Sequence, residues 1–445
     1  MINIATHHKK EILLIITGAV FALITATLAN GPLRLIAAFL IPATILVIFI
    51  ITSTEFSAYL VIFALFSGIF WGLEISGGFL FVTLIFIFAW FLKQFGEAEP
   101  KLFLDKTLFA ILMYYFFLIA SIPDARWPIA SYDVLMVYFK LLLFYFIFTN
   151  AIDEEKVVKR LTRVLIAAVI ISVAYGFYTL LVALGQGKLF ETGFRLIGLS
   201  ANPNALSYYI LISIALSSYF FFLTAKKWYI KLSLIFIIIY LTIAQGATLS
   251  RGGSIGLAIL FLLVIWDFRS RKWPVVAVIA FILIILLFAP KEYFERLSSL
   301  SNIWADPSLR WRARLSLGAI ELIQQYPFNG LGLGNFLVIS NKYINHHLVT
   351  HNTLLEVFSE SGFAAVVSLV VLVIVVFRNL NYASSTYLKK ANYEMYAISR
   401  AFRSSLVALC VLSLFDSMQT YFSIWAIFAF SAILNKLARK AEEGQ

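Results

Sequence analysis

Charged residues are scarce in this 445-residue chain, at 13% of the total, whereas hydrophobic residues make up 62%. A water-soluble protein of this length needs far more polar surface to cover its core. Cysteine is almost absent, since Cys410 is the only one, and this excludes a disulfide framework within the chain. The composition therefore excludes a soluble protein and predicts an all-α integral membrane protein.

Nucleotide-binding motifs are also missing. The chain has no Gly-x-x-x-x-Gly-Lys-Ser/Thr phosphate loop and no Asp-x-Asp pair of the kind that holds a metal-bound nucleotide sugar. These absences exclude ATP-driven transport within this chain. They also argue against a donor that a nucleotide activates in the cytoplasm.

The hydrophobic residues come in blocks of about 17 to 22, the length that crosses a hydrocarbon core of about 30 Å as a helix. They predict about 12–14 transmembrane helices. The first block follows a His-His-Lys-Lys run and is similar to a signal peptide, but the many later spans favour a retained helix. The fourteen candidate spans are 11–28, 33–52, 57–73, 78–95, 104–121, 131–149, 161–184, 204–224, 229–245, 252–268, 273–290, 363–378, 400–416 and 420–437.

Lysine and arginine are distributed unevenly between the two sides of these spans. The side that is richer in these residues usually faces the cytoplasm. We therefore expect a multi-pass protein with both termini in the cytoplasm. The predicted inner segments carry twenty-three Lys and Arg residues, whereas the short outer loops carry Arg34, Arg126, Lys188, Arg195 and Arg251.

One outer segment, residues 291–362, is long enough to have structure of its own. Asp306-Pro307 predicts a helix N-cap followed by proline at the first helical position, and apolar residues follow at helical spacing up to Tyr326. A glycine-rich turn then ends this helix. Thr353 with Glu356 predicts a capping box at the start of the next one.

These features divide the chain into four parts. We expect N-terminal transmembrane helices at 1–184, helices with outer loops at 185–290, the large outer loop at 291–362 and C-terminal transmembrane helices at 363–445.

The outer side carries arginines that the orientation rule does not explain. Arg195 and Arg251 lie in short loops, and Arg310, Arg312 and Arg314 lie on the helix of the large loop, where Arg310 and Arg314 share a face. Guanidinium binds phosphate oxygens in a bidentate manner, and the glycines after Arg251 let backbone N–H groups approach an anion. Two interpretations are open, because these arginines either bind a phosphorylated substrate or pair with lipid headgroups and nearby carboxylates.

His351 precedes a predicted helix start and is the candidate general base. An imidazole at this position takes a proton from a hydroxyl at neutral pH, and a helix N-terminus disfavours its charged form. Two alternatives are a surface histidine that only forms hydrogen bonds and a zinc site with His347, although no third ligand is evident. Asn352 is a possible supporting residue.

Lys140 falls near the middle of a span, where a charge usually faces the bundle interior or a cavity. It is a candidate for neutralising a lipid phosphate. Pairing with a carboxylate or a carbonyl is an equally open interpretation.

The second half of the chain resembles the O-antigen ligase and polymerase superfamily of bacterial envelope glycan synthesis. The order, spacing and outer placement of four pieces carry the resemblance, which runs from about Gly193 to the C-terminus. The pieces are Arg195 with Asn202-Pro203-Asn204, then Thr248-Leu-Ser-Arg251-Gly-Gly, then Arg310 to Pro327 with Gly330-Leu-Gly-Leu-Gly-Asn335, and last His351-Asn352 followed by Gly362.

The resemblance implies a GT-C-like membrane glycosyltransferase with about twelve spans, in the inner (cytoplasmic) membrane of a bacterium. It implies an O-antigen ligase that is inverting and metal-independent, and that moves a glycan from undecaprenyl diphosphate to lipid A-core on the periplasmic face. His351 would be the base, and Arg195, Arg251 and Arg310 would bind the donor diphosphate, supported by Asn352, Arg314 or Lys140. No cofactor and no metal ion are implied.

One departure from the family pattern leaves ligase and polymerase both open. Family ligases usually have a threonine three residues after the glycine of the last piece, and this chain has Ala365 there. A repeat-unit polymerase of the same superfamily is therefore the alternative. A lipid-linked oligosaccharide flippase or another transporter is less favoured, because transporters usually place their polar site near the midplane.

Overall fold

The hydrophobic blocks fold as helices, and the described part of the chain contains no strand. The computed structural model describes residues 53–75, 77–96, 102–186, 195–270, 298, 304 and 306–444. The predicted all-α membrane class is confirmed. The helices are α1 (Thr54–Ser67), α2 (Ile69–Gly72), α3 (Gly78–Phe95), α4 (Lys106–Ala120), α5 (Pro128–Ala151), α6 (Glu155–Gly185), α7 (Pro203–Leu223), α8 (Trp228–Ala247), α9 (Arg251–Asp267), α10 (Pro307–Gln325), α11 (Asn335–Ile339), α12 (Asn341–Ile344), α13 (Thr353–Lys389), α14 (Tyr393–Leu412) and α15 (Phe422–Glu442).

Eight helices of the described residues are long and apolar enough to cross a membrane, namely α3, α5, α6, α7, α8, α13, α14 and α15. Every predicted span within the described ranges coincides with a helix, and Gly68 interrupts the span at 57–73 between α1 and α2. The predicted spans at 11–28, 33–52 and 273–290 lie outside the described residues.

The described residues belong to two compact units. One contains residues 53–61 and 77–102, and the other contains residues 62–75 and everything after 102. In the second unit, α7 packs against α8 and α14, while α13 packs against α4, α14 and α15. Most of α7 and α15 is buried. The residues of the site described below all belong to this second unit.

The ends of five helices meet at one end of this unit. α7, α9 and α13 begin there, and α8 and α14 end there. We call this the site end. At the other end of α9, Asp267 forms ion pairs with Arg400 and Arg403 of α14, which fixes these two helices on the side away from the site end.

Residues 306–344 form a helical cover with a small core of its own. Asp306 caps α10 by accepting a hydrogen bond from the backbone N–H of Leu309 at 3.0 Å, and Pro307 is the first helical residue. The predicted cap is therefore confirmed. The buried core of this cover consists of Leu315, Ala319, Leu322, Leu331, Phe336 and Ile344.

α13 bends sharply at Gly362, where φ is 79° and ψ is −178°. A Cβ atom there would lie 1.7 Å from the carbonyl oxygen of Phe328, so only glycine fits. The bend interrupts the backbone hydrogen bonds of α13, and the glycine-rich turn supplies donors to the helix at this point. The backbone N–H groups of Leu331 and Gly332 donate to the carbonyls of Ser359 and Glu360 at 2.8 and 2.9 Å.

The start of α13 differs from the predicted capping box. Asn352 is the N-cap, and its side chain accepts a hydrogen bond from the N–H of Leu355 at 3.0 Å. Glu356 does not reach back to the N-cap, because its carboxylate is bound to Thr350 instead. The helix start was predicted correctly, but the capping box was wrong.

Candidate active site

Arg195 is held beside the N-termini of two helices. Its Nε donates to the carbonyl of Thr248 at 3.0 Å, and its Nη2 lies 3.3 Å from Asn204 Oδ1. Asn202 caps α7 by accepting from the N–H of Asn204 at 2.8 Å, which explains the Asn-Pro-Asn motif. Ser250 caps α9 and also donates to Asn204 Oδ1 at 3.0 Å. Two helix N-termini and one guanidinium therefore converge, an arrangement that favours an anion.

Arg251 forms an ion pair with Asp306, the N-cap of α10. Burial alone would raise the pKa of Asp306. The N–H of Leu309 and the Arg251 guanidinium outweigh this effect and hold the pKa below its ordinary value. The pair links the start of α9 to the start of α10 at the edge of the cavity.

Arg312 is the arginine of α10 that faces the site. It lies three residues before the buried Leu315 and on the same face as Ser308 and Trp311, and its Nη1 donates to the carbonyl of Phe415 at 2.9 Å. Arg310 and Arg314 do not line the cavities, because a two-residue step along a helix turns a side chain by about 200°.

His351 and Asp416 form a hydrogen-bonded pair at the same place. His351 Nδ1 lies 3.1 Å from Asp416 Oδ1, and the hydroxyl of Tyr208 donates to the other carboxylate oxygen. Burial alone would raise the pKa of Asp416. Its hydrogen bonds to His351 and Tyr208, with the charge of Arg312, outweigh burial and lower that pKa. A deprotonated Asp416 accepts a hydrogen bond from the Nδ1–H tautomer of His351 and leaves Nε2 free to accept a proton.

These groups line two adjoining cavities. The larger, of about 410 Å³, lies between Arg195, Trp311, Arg312 and His351. The smaller, of about 50 Å³, is lined by Arg195, Arg251, Arg312 and Asp416, and the two share four residues. The larger volume lies within the range of about 300–1,000 Å³ of small-molecule sites. The two adjoining cavities therefore bring guanidinium groups next to a candidate base.

The structure brings together three of the four principal residues that the sequence singled out, namely Arg195, Arg251 and His351. Asn352 caps α13, and its Nδ2 donates a hydrogen bond to the carbonyl of Leu414 at 3.1 Å. It therefore contacts the turn that carries Asp416. Lys140 is exposed on α5 and does not line either cavity, and neither does Ala365, which is fully buried on α13.

Sequence reasoning did not identify the site positions of Arg312, Asp416 and Tyr208. For Arg312 a signal existed, because it lies one turn before Leu315 on the apolar face of α10. For Asp416 the sequence showed only a carboxylate near the outer end of a span. For Tyr208 the sequence showed no signal, because nothing distinguishes it from the other twenty tyrosines.

The zinc alternative for His347 and His351 finds no geometric support in the described residues. His347 Nδ1 lies 3.1 Å from the carbonyl of Leu337, and His351 is directed to Asp416. Within the ranges that the structure describes, no group of three or more His, Cys, Asp and Glu residues is arranged to hold a metal ion.

Comparison with known proteins bears on the same region. Residues 236–370 match the family model described as O-antigen ligase. The matched segment is O-antigen ligase-like. The matched segment runs from α8 through the cover to the first part of α13 and includes Arg251, Arg312 and His351. A comparison with curated proteins found no match.

The O-antigen ligase family implies a glycosyltransferase-like ligase or polymerase activity on lipid-linked glycans at a membrane. The predicted resemblance is thus confirmed at the level of the superfamily. The matched segment does not include Arg195, Tyr208 or Asp416, which the fold brings to the same cavities.

Proposed function

We propose that this chain transfers a glycan from undecaprenyl diphosphate to a hydroxyl of lipid A-core on the periplasmic face of the bacterial inner membrane. The observation that carries the proposal is the convergence of Arg195, Arg251 and Arg312 with the His351–Asp416 pair on the two adjoining cavities. Cations suit the diphosphate of the donor, and the histidine suits the acceptor hydroxyl.

The proposed reaction is a single inverting displacement. His351 Nε2 takes the proton of the acceptor hydroxyl, and the oxygen attacks the anomeric carbon of the donor sugar. The bond from that carbon to the diphosphate oxygen breaks, and undecaprenyl diphosphate leaves with the electron pair. Asp416, 3.1 Å from Nδ1, stabilises the imidazolium that forms.

The arginines act on the leaving group. As the glycosidic bond breaks, negative charge grows on the diphosphate, and donors that already point to this position stabilise the transition state more than the ground state. Removing one such donor typically costs about 2.7–4 kcal/mol of activation free energy. In this proposal the guanidinium groups supply the charge that a divalent cation carries in many other phosphate sites.

The proposal is tested with the purified protein, an undecaprenyl-diphosphate-linked glycan and lipid A-core. The expected product is lipid A-core extended by the glycan, formed without added nucleotide. His351→Ala should lower the rate by at least about 10²-fold. Wild-type activity of this variant would refute the general-base role.

A repeat-unit polymerase is the second candidate, and the absence of the ligase threonine at Ala365 is the observation that favours it. Because Ala365 is fully buried away from both cavities, we expect the same chemistry with a different acceptor. The same assay separates the two, since a polymerase lengthens the carrier-linked glycan and leaves lipid A-core unchanged.

A further inference from the structure

Glu356 is a buried carboxylate that the proposed chemistry does not use. It lies in the first turn of α13 with 6% of its surface exposed. Its Oε2 accepts hydrogen bonds from the N–H of Thr350 at 3.1 Å and from the hydroxyl of Ser417. The Thr350 hydroxyl, also 3.1 Å away, shares its one proton between this oxygen and the carbonyl of Asn352 at 2.8 Å. Its Oε1 accepts from Gln419 Nε2 at 2.6 Å. Four donors are directed at one carboxylate, which satisfies a buried anion.

The donors come from the two segments that carry the candidate base and its partner. Thr350 directly precedes His351, and Ser417 directly follows Asp416. These two segments are 65 residues apart in the chain and meet only at the site end. One carboxylate thus binds the chain neighbour of each member of the pair.

The backbone of His351 needs such support. Its φ is 55°, in the left-handed region that non-glycine residues rarely adopt, and such residues persist only where their surroundings hold them. On its C-terminal side, Thr353 is bound to the turn through Ser413 O at 2.8 Å and Asp416 O at 3.0 Å. On its N-terminal side, Thr350 is held by Glu356.

We infer that Glu356 is a positioning residue that fixes the orientation of the His351–Asp416 pair through Thr350 and Ser417. This inference rests on the proposed function, because it assigns Glu356 a role only if His351 is the base. Glu356 does not line either cavity, so its effect reaches the substrate only through the two segments.

The test is Glu356→Gln in the purified full-length protein. Glutamine has nearly the same size, and its oxygen can still accept from Thr350 and Ser417 while Gln419 turns its own amide to accept from the new NH₂ group. The variant therefore removes the negative charge that strengthens the hydrogen bonds from both segments. We expect kcat to fall by about 10- to 100-fold, with little change in the KM of the carrier-linked donor, because the arginines bind the diphosphate independently.

Glu360→Gln is the matched control. Glu360 lies one turn further along α13 with the same 6% exposure, and its Oε1 accepts from the N–H of Phe336 at 3.0 Å, a bond that glutamine retains. It contacts neither segment of the pair, so kcat should stay within about threefold of wild type. Thr350→Ser and Thr350→Val form a second comparison. Serine retains the hydroxyl donor, so we expect kcat to be retained, whereas valine lacks it, so we expect kcat to fall.

A double variant of Glu356→Gln with Thr350→Val should lose less kcat than the product of the two single losses, because both changes act on the contact between Glu356 and Thr350. Wild-type kcat in Glu356→Gln, or equal losses in the serine and valine variants of Thr350, would overturn the positioning role. The role would also be overturned if the melting temperature and kcat fell together across these variants, because a residue that only stabilises the fold gives that result. If His351→Ala itself remains active, the general-base role within the proposed function fails instead, whatever Glu356→Gln does.

Discussion

Asp416→Asn tests the negative charge of Asp416, which lies beside the proposed base, without changing the shape of the site. The amide can present its oxygen to His351 Nδ1–H and to the N–H of Ser417, which lies 3.0 Å from Oδ1, while the Tyr208 hydroxyl turns to accept from the NH₂ group. The tautomer of His351 is then retained. The variant loses only the negative charge that stabilises the imidazolium in the transition state.

The magnitude follows from the geometry of the pair. Asp416 has 7% of its side chain exposed and His351 has 22%, so water screens the pair only in part. A hydrogen bond to a charged group contributes about 1.5–3 kcal/mol, and Coulomb attraction near a protein surface reaches about 4 kcal/mol at 4 Å. At about 1.4 kcal/mol per tenfold in rate, we expect kcat to fall by about 10- to 150-fold.

The assay is single-turnover transfer of a labelled carrier-linked glycan, measured together with equilibrium binding of the donor. Tyr208→Phe is the control, because it removes one donor to the same carboxylate but keeps the negative charge of Asp416, and it should lower kcat by less than about tenfold. Unchanged kcat in Asp416→Asn would refute the reasoning. So would a loss of donor binding with an unchanged rate of transfer.

Three further predictions rest on other parts of the structure. Arg312→Ala should lower kcat/KM by about 10²-fold, whereas Arg314→Ala, on the same helix but outside the cavities, should change it by less than about threefold. Asp306→Asn keeps an N-cap but removes a carboxyl whose pKa folding lowers. That carboxyl stabilises the fold fully above its unfolded pKa of about 3.9 and loses this effect as pH falls through its lower, folded pKa, so the variant's lower melting temperature should begin to approach that of wild type only as pH falls below about 4. Gly362→Ala should destabilise the fold by about 3 kcal/mol or more in denaturation experiments, whereas Gly77→Ala, with φ of 77° in open space, should cost about 1 kcal/mol; equal effects would contradict the steric argument.

Hydropathy was sufficient to predict the helices because each apolar block has one low-energy arrangement in a membrane. It did not give the length of α13, which begins at Thr353 rather than at residue 363. The first ten residues of that helix carry buried polar side chains, among them Glu356 and Glu360, and a hydropathy window excludes them. Glu360 is buried against the cover at 306–344, and Glu356 against Thr350 and the turn at 417–419, so both depend on tertiary packing.

The candidate site was predictable where its residues lie in local motifs. Arg195, Arg251 and His351 each stand next to a helix start, and caps and glycines mark such positions in a sequence. The pairing of His351 with Asp416 joins residues 65 positions apart, and no local pattern reports it. Helical spacing shows which arginines of α10 share a face, but only packing shows that the face of Arg312 is the one that lines the cavities.

The bend in α13 has a mechanical consequence. Straightening it at Gly362 would break the backbone hydrogen bonds that residues 327–332 make to Ser359, Glu360 and Phe363. Each buried group left without a partner costs about 1–3 kcal/mol, so the bend acts as a rigid joint during turnover. The segment that carries His351 and the glycine-rich turn then move as one block. α10 shares a buried core with the glycine-rich turn through Leu315, Leu322 and Leu331, so Trp311 and Arg312 on the cavity wall belong to the same block.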